Sequence, residues 1–125
     1  RLQAALKAPS LYDAVIGLLA RRGFAIDEAL LSRDFDQPYL ENDSVRAAWH
    51  TVYSDTESHW ELYELAEKLM DFEHNFQMWR YHHLKTVERI IGNKMGTGGS
   101  SGLPYLAQGL SAKLFPELMT VRTEL

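Results

Sequence analysis

The feature that most constrains the fold is a run of mainly apolar residues spaced alternately three and four positions apart. Its members are Leu62, Leu65, Leu69, Phe72, Phe76, Trp79, His83, Thr86 and Ile90. This spacing places all of them on one side of an α-helix, as in helices that pack side by side. At 1.5 Å per residue, the helix would be roughly 45 Å long. We therefore expect partner helices from a further segment or another subunit.

Shorter helical patterns flank this run. Ser10 and Asp13 have the spacing of a capping box, and Gly23 would end the helix that they begin. Asp43 or Ser44 is expected to cap the next helix, which carries an apolar stripe. The other predicted elements are a short helix in 26–31, a loop over 34–42, a polar helix break at 55–58, a helix over 103–113 and a last helix from Pro116 to about Arg122. The absence of strand patterns predicts an all-α fold, in which residues 1–125 form one helical region with a long central helix.

Composition excludes several classes of function. The 125 residues suffice for one domain, and the net charge of −4 gives no electrostatic reason to bind nucleic acid or an anionic membrane. With no cysteine, disulfides and thiolate metal sites are excluded, and a reducing, cytoplasmic location is expected. No apolar run reaches the length of a membrane span, and no signal-peptide pattern is present. Because the sequence begins at Arg1 within a helical pattern, we expect a missing upstream portion.

His83 lies within the apolar run and has two interpretations. Most histidines in such positions are core residues with a hydrogen-bonded neighbour. The alternative is an axial ligand to haem iron, because a neutral imidazole between apolar walls suits that task, and Phe76, Trp79 and Tyr81 could supply the walls. His82 points about 100° away on the helix, so it cannot share that metal. Zinc and di-iron sites are weak interpretations, since the required His and Glu pairs are absent from the sequence.

The Gly-rich segment 96–102 is the second candidate feature. Its seven residues include four Gly, one Thr and two Ser. It is either a flexible linker or a loop whose backbone N–H groups approach the charged end of a substrate. Arg80 and Lys94 could reach haem propionates, although a solvated helix face explains such cations equally well. The segment follows a helix and lacks the Gly-Lys-Ser/Thr signature, so a nucleotide loop is excluded.

Three stretches resemble one family closely. They run from Phe76 to His83, from Lys85 to Gly92 and from Lys94 to Gly102, and together contain Trp-Arg-Tyr-x-His followed by Gly-Thr-Gly-Gly-Ser-Ser-Gly. This combination resembles tryptophan 2,3-dioxygenase. The likeness covers essentially the whole chain and corresponds to the C-terminal half of a family member. Further matching stretches are Ala8–Tyr12, Leu19–Arg21, Phe115–Leu118 and Val121–Thr123.

The resemblance implies a homotetrameric, all-helical enzyme that binds haem b and opens the indole ring of L-tryptophan with O₂, giving N-formyl-L-kynurenine. By resemblance, His83 would be the proximal iron ligand, with Trp79 and Arg80 beside the haem. Thr97, with Gly96, would hold the polar end of tryptophan. No catalytic residue is expected in this half, because the family's distal histidine and substrate-binding arginine lie in the N-terminal half.

Two alternatives remain beside the enzyme. One is a haem-binding or indole-binding helical module without dioxygenase activity, since half of the site would lie elsewhere. The other is a structural, oligomerising helical domain in which the Gly-rich segment is only a linker. None of the three involves nucleic acid or a membrane.

Overall fold

The structure is a computed structural model, and it describes residues 9–91 and 113–125. Its helices are α1 (Leu11–Arg21), α2 (Glu28–Leu31), α3 (Asp43–Ser54), α4 (Trp60–Ile91) and α5 (Pro116–Glu124). No residue in the described ranges belongs to a β-strand, which confirms the all-α prediction there. The predicted helix over 103–113 falls almost entirely outside the described residues. None of the helices in the described ranges combines the length and the apolar character that a membrane span requires.

The chain divides into two compact units. The first comprises Arg1–Ala66 with Phe115–Leu125, and the second comprises Glu67–Leu114. Helix α4 therefore contributes its first two turns to one unit and the rest to the other. The grouping of residues 1–125 into one helical region stays a prediction.

Helix α1 begins at the predicted capping box. The Ser10 hydroxyl accepts a hydrogen bond from the Asp13 amide at 3.2 Å, and the Asp13 carboxylate accepts one from the Ser10 amide at 2.9 Å. The Arg33 guanidinium donates two further bonds to the same carboxylate, at 2.9 and 2.8 Å. Burial by itself raises the pKa of Asp13. The hydrogen bonds from Arg33 and Ser10 outweigh this effect and hold the pKa below its usual value. The helix ends before Gly23, whose φ of 97° suits a residue without a side chain.

The core of the first unit forms between α1, α3 and α5. Helices α3 and α5 pack against each other. Four of the five residues of the predicted stripe of α3, Val45, Ala48, Trp49 and Val52, are buried, and the fifth, Tyr53, is half-buried. The predicted cap of this helix was wrong. Asn42 is the N-cap, since its side-chain oxygen accepts from the amides of Ser44 (2.8 Å) and Val45 (3.3 Å).

A fully buried carboxylate joins the elements of this core. The two oxygens of Glu117 each accept a hydrogen bond of 2.6 Å, one from the Tyr12 hydroxyl and one from the Tyr39 hydroxyl. The Asn42 amide donates a third bond at 2.8 Å, and the Trp49 indole N–H donates to the Tyr12 oxygen at 3.1 Å. Because a buried charge is costly unless it is hydrogen-bonded, these donors define where α5 can lie.

The predicted break between the two middle helices is confirmed. Helix α3 ends at Ser54 and α4 begins at Trp60. In between, the Asp55 carboxylate accepts a hydrogen bond of 3.2 Å from the Ser58 amide, as in a turn. The last helix begins at Pro116, as predicted, and runs two residues beyond Arg122.

We expect Glu117→Gln to destabilise the protein by about 1–3 kcal/mol, because an NH₂ group would replace an oxygen that now accepts from a buried donor. Urea unfolding measures the change. Glu64→Gln, at an exposed position on α4, is the matched control and should change the free energy of unfolding by less than about 0.5 kcal/mol. Equal stabilities of the two variants would contradict the proposed role of the carboxylate.

Tyr12 should make stability fall at alkaline pH. Burial, reinforced by the Glu117 carboxylate, raises the pKa of Tyr12 far above that of an ordinary tyrosine. Above pH of about 10, Tyr12 therefore ionises in the unfolded chain only, and the free energy of unfolding should drop by up to about 1.4 kcal/mol per pH unit. Urea unfolding on both sides of that pH should give a shallower slope for Tyr12→Phe than for the wild type. Identical slopes would count against this assignment.

Candidate functional site on the long helix

Four rings of α4 stack along one side of the helix. The centroids of Phe72 and Phe76 lie 6.2 Å apart, those of Phe76 and Trp79 also 6.2 Å, and those of Trp79 and His83 5.4 Å. The planes of neighbouring rings differ by 6°, 22° and 1°, so the stack is nearly parallel throughout. The spacing of four, three and four residues produces this alignment. We call these four side chains the aromatic row.

The aromatic row is largely open to solvent. Phe72 is 51% exposed and Trp79 61%, and Ile90 further along the same helix is 75% exposed. His83 is exposed as well, so it is not a core histidine in this chain. Folded proteins rarely leave aromatic side chains in a continuous open row unless something binds there.

The predicted apolar seam is therefore confirmed only in its first part. Leu62 and Leu69 are buried, with 3% and 4% exposure. From Phe72 onward none of the described helices covers that side, so the partner helices expected from a further segment or another subunit stay a prediction. The buried positions there are Glu73 and Leu84, which lie on a neighbouring side of α4.

The imidazole of His83 stacks on the indole of Trp79. The planes of the two rings are parallel within 1°, and the ring centroids lie 5.4 Å apart. One face of the imidazole thus lies against the indole, and His83 as a whole is exposed to solvent. An imidazole held in this way can offer a nitrogen lone pair to a metal.

Two side chains next to the aromatic row make different contacts. The Arg80 guanidinium lies 4.5 Å from the centroid of the Phe76 ring, which places a cation beside the row. Tyr81 instead meets the ring of His82 edge-on at 5.8 Å, so it does not extend the stack. No ring contact between Tyr81 and His83 is found among the described residues, so the suggestion that Tyr81 supplies a wall beside His83 stays a prediction.

A self-contained metal cluster is not found in the described part of the chain. No three His, Asp or Glu side chains there lie close enough together to hold a metal ion. Any metal at His83 would need its other ligands from elsewhere, as an iron porphyrin provides.

Sequence reasoning missed one residue of this unit. Glu73 is only 5% exposed, and its carboxylate accepts hydrogen bonds from the Leu114 amide at 3.1 Å and the Gln77 side chain at 3.4 Å. In the sequence, Glu73 looks like the other glutamates of α4, most of which face solvent. Its contact joins positions 41 residues apart, and no local pattern reports such a pairing.

The structure does not describe the two predicted substrate residues. Gly96 and Thr97 fall outside the described residues, as does Lys94, so their roles stay predictions. The described chain leaves α4 at Ile91 and resumes at Lys113.

The exposure of the aromatic row leads to a stability prediction. We expect His83→Ala and Trp79→Ala to change the free energy of unfolding by less than about 1 kcal/mol, since both side chains are exposed. Leu69→Ala, on the buried part of the same helix, should cost about 2–5 kcal/mol. Urea unfolding of the three variants makes the comparison. A large loss of stability in His83→Ala would show a core role instead.

Comparison with known proteins gives one family. The family model described as tryptophan 2,3-dioxygenase matches residues 6–125. A tryptophan 2,3-dioxygenase of Bacillus cereus is 58% identical over 125 residues, which is 100% of this chain and 45% of that protein. The enzymes of the same name from Shewanella woodyi and Paraburkholderia phytofirmans are 56% and 57% identical, over 99% of this chain and 43% and 40% of their own lengths. The chain thus spans less than half the length of these relatives.

Proposed function

The chain belongs to the tryptophan 2,3-dioxygenase family, and on that premise we propose that it supplies the proximal side of a haem pocket. The whole protein would open the indole ring of L-tryptophan with O₂ to give N-formyl-L-kynurenine. The observation that carries the proposal is the exposed side chain of His83, stacked on Trp79 at the end of the aromatic row. The relatives named above carry that activity in their names.

The described residues fit haem b in three respects. His83 offers one imidazole as an axial ligand, which is what a haem requires of a proximal helix. Flat apolar rings lie beside it, and a macrocycle can pack against such surfaces. Arg80 holds a positive charge next to the row, where a propionate would find a partner. When bound, haem would supply the iron that activates O₂.

Three residues of the row have distinct tasks in this proposal. His83 holds the iron through one imidazole nitrogen. Trp79 limits rotation of the imidazole, because a ring stacked at 5.4 Å with a nearly parallel plane resists tilting. Phe76 holds the Arg80 guanidinium over its face and so keeps that charge beside the pocket. A side chain fixed before its ligand arrives loses less entropy on binding.

The polar end of tryptophan would be held by Thr97 with Gly96. This assignment rests on the resemblance and on the composition of the Gly-rich segment, which allows backbone to approach a ligand closely. Their task would be orientation, so that the indole lies against the reactive centre. We assign no acid or base in this chain, and in the proposal the distal groups belong to the remainder of the protein.

Assembly is part of the same proposal. Phe72, Trp79 and Ile90 would be covered in the whole protein by further helices, by the haem or by other subunits of a homotetramer. Their exposure in this chain supports that view, since burying such side chains contributes about 1.5–3 kcal/mol each. A cytoplasmic location agrees with the absence of cysteine.

Haem titration of the whole protein tests the ligand. We expect His83→Ala to lose the Soret band of the histidine-ligated iron and to bind haem at least tenfold more weakly. His82→Ala is the matched control, because it removes the neighbouring exposed histidine and should leave the spectrum unchanged. An unaltered Soret band in His83→Ala would refute the proximal assignment.

Turnover tests the reaction and the substrate contact. The wild-type holoenzyme, reduced and supplied with L-tryptophan and O₂, should form N-formylkynurenine, which is followed by its absorbance. Thr97→Ala should raise KM about tenfold, the equivalent of about 1.4 kcal/mol, without moving the Soret band. A haem spectrum without any product would instead favour a binding module. If the protein shows neither a haem spectrum nor product, the result would favour the structural helical domain.

A further inference from the structure

We propose that a cleft between α1 and α2 binds a small monocarboxylate whose body is apolar. The cleft belongs to the first unit, and it shares no residue with those assigned above to haem or tryptophan. Its volume is about 260 Å³. Pockets for drug-sized ligands are mostly larger than this, so the ligand should be a small one, of the size of a phenylpropionate.

Apolar side chains make up most of the lining of the cleft. Ile16 on α1 is buried, and Leu30 and Phe35 are half-buried. Leu31, the last residue of α2, keeps 40% of its surface exposed. A ligand that covers Leu31 and Phe35 would remove apolar surface from water, which favours binding. The lining therefore suits a hydrocarbon body.

Gly17 provides the space for that body on the α1 side. Glycine in the interior of a helix is destabilising relative to alanine. The backbone at Gly17 does not require glycine, since its φ is not positive. A clash does not require it either, because a Cβ atom at this position would lie 3.4 Å from the nearest atom, Nη1 of Arg21. What the glycine does supply is open volume between the two helices.

The Arg21 guanidinium places a positive charge at this open volume. Its Nη1 atom lies close to Gly17, so the side chain folds back along α1. Every aspartate and glutamate of the chain lies within the described residues, and none of them forms an ion pair with Arg21 there. A guanidinium binds a carboxylate through two parallel hydrogen bonds. A carboxylate is therefore the group that best complements the cleft.

The other charged side chain of the cleft is already matched. The Asp13 carboxylate accepts two hydrogen bonds from Arg33, at 2.9 and 2.8 Å, and its side chain is only 5% exposed. It therefore attracts the ammonium group of a ligand only weakly, and the charge that a ligand meets is that of Arg21. We expect an anion without an amino group to bind better than an amino acid.

Methyl NMR of the whole protein, labelled at isoleucine and leucine, tests the site with 3-phenylpropionate as the probe. Titration should shift the methyl signals of Ile16, Leu30 and Leu31 until they saturate. The uncharged 3-phenylpropanamide has the same body and lacks the charge. It should bind about fivefold more weakly, because it cannot form the charge-assisted pair with Arg21.

Three variants assign the binding to particular side chains. Arg21→Gln removes the charge of an exposed residue and should weaken binding of 3-phenylpropionate about fivefold, with less than a twofold effect on the amide. Gly17→Leu should fill the cleft and abolish binding of both compounds. Arg22→Gln is the matched control, because Arg22 pairs with Glu61 and does not line this cleft. It should leave both affinities within about twofold of the wild type.

Several outcomes would overturn the inference. They are methyl signals that do not move with 3-phenylpropionate, equal affinities for the acid and the amide, and an unchanged affinity in Arg21→Gln. Nuclear Overhauser contacts from these methyl groups to another segment or a second subunit, in the absence of the probe, would overturn it as well, since protein would then fill the cleft. These measurements need neither haem nor turnover, so they decide on the cleft even if the protein proves not to be a dioxygenase.

Discussion

A carboxylate without access to water holds the first unit of this protein together. Glu117 gathers two tyrosine hydroxyls and a backbone amide from segments that are distant in sequence, and the Tyr12 contact spans 105 residues. Apolar packing alone would tolerate small shifts of α5 against its neighbours. A buried charge does not tolerate such shifts, because each donor must stay within hydrogen-bond distance of it. The network therefore contributes a unique arrangement of helices as well as stability.

Helix α4 meets a different constraint along its length. Its first turns bury leucines, as the three-four spacing predicts, whereas its later turns leave the aromatic row open. The three-four spacing is the same in both parts of α4, because this spacing determines only which residues share a side of the helix. What covers that side depends on other chain segments. An open row is consistent with a chain that spans less than half of its relatives.

The features that the sequence predicted correctly are local ones. The Ser10 capping box, the stop at Gly23 and the buried stripe of α3 are each encoded within a few residues. The cap of α3 was misplaced because Asn42 is followed directly by two other good capping types, and only geometry selects among them. Glu73 was missed for another reason, since its partner is a backbone amide far along the chain. In the proposed site, helical spacing placed His83 on the side of Trp79, but the parallel stacking of the two rings and their exposure depend on the neighbours of α4 and required the structure.

The contact between Trp79 and His83 also has an optical consequence. The chain has three tryptophans. Trp49 is fully buried, whereas Trp60 and Trp79 are 54% and 61% exposed, so emission from the last two should lie at longer wavelengths. Among the described residues, only Trp79 has an imidazole stacked on its ring, at 5.4 Å, so we expect its emission to change when a ligand binds that imidazole. The protein thus contains its own fluorescent reporter beside the proposed iron ligand, and no label needs to be attached.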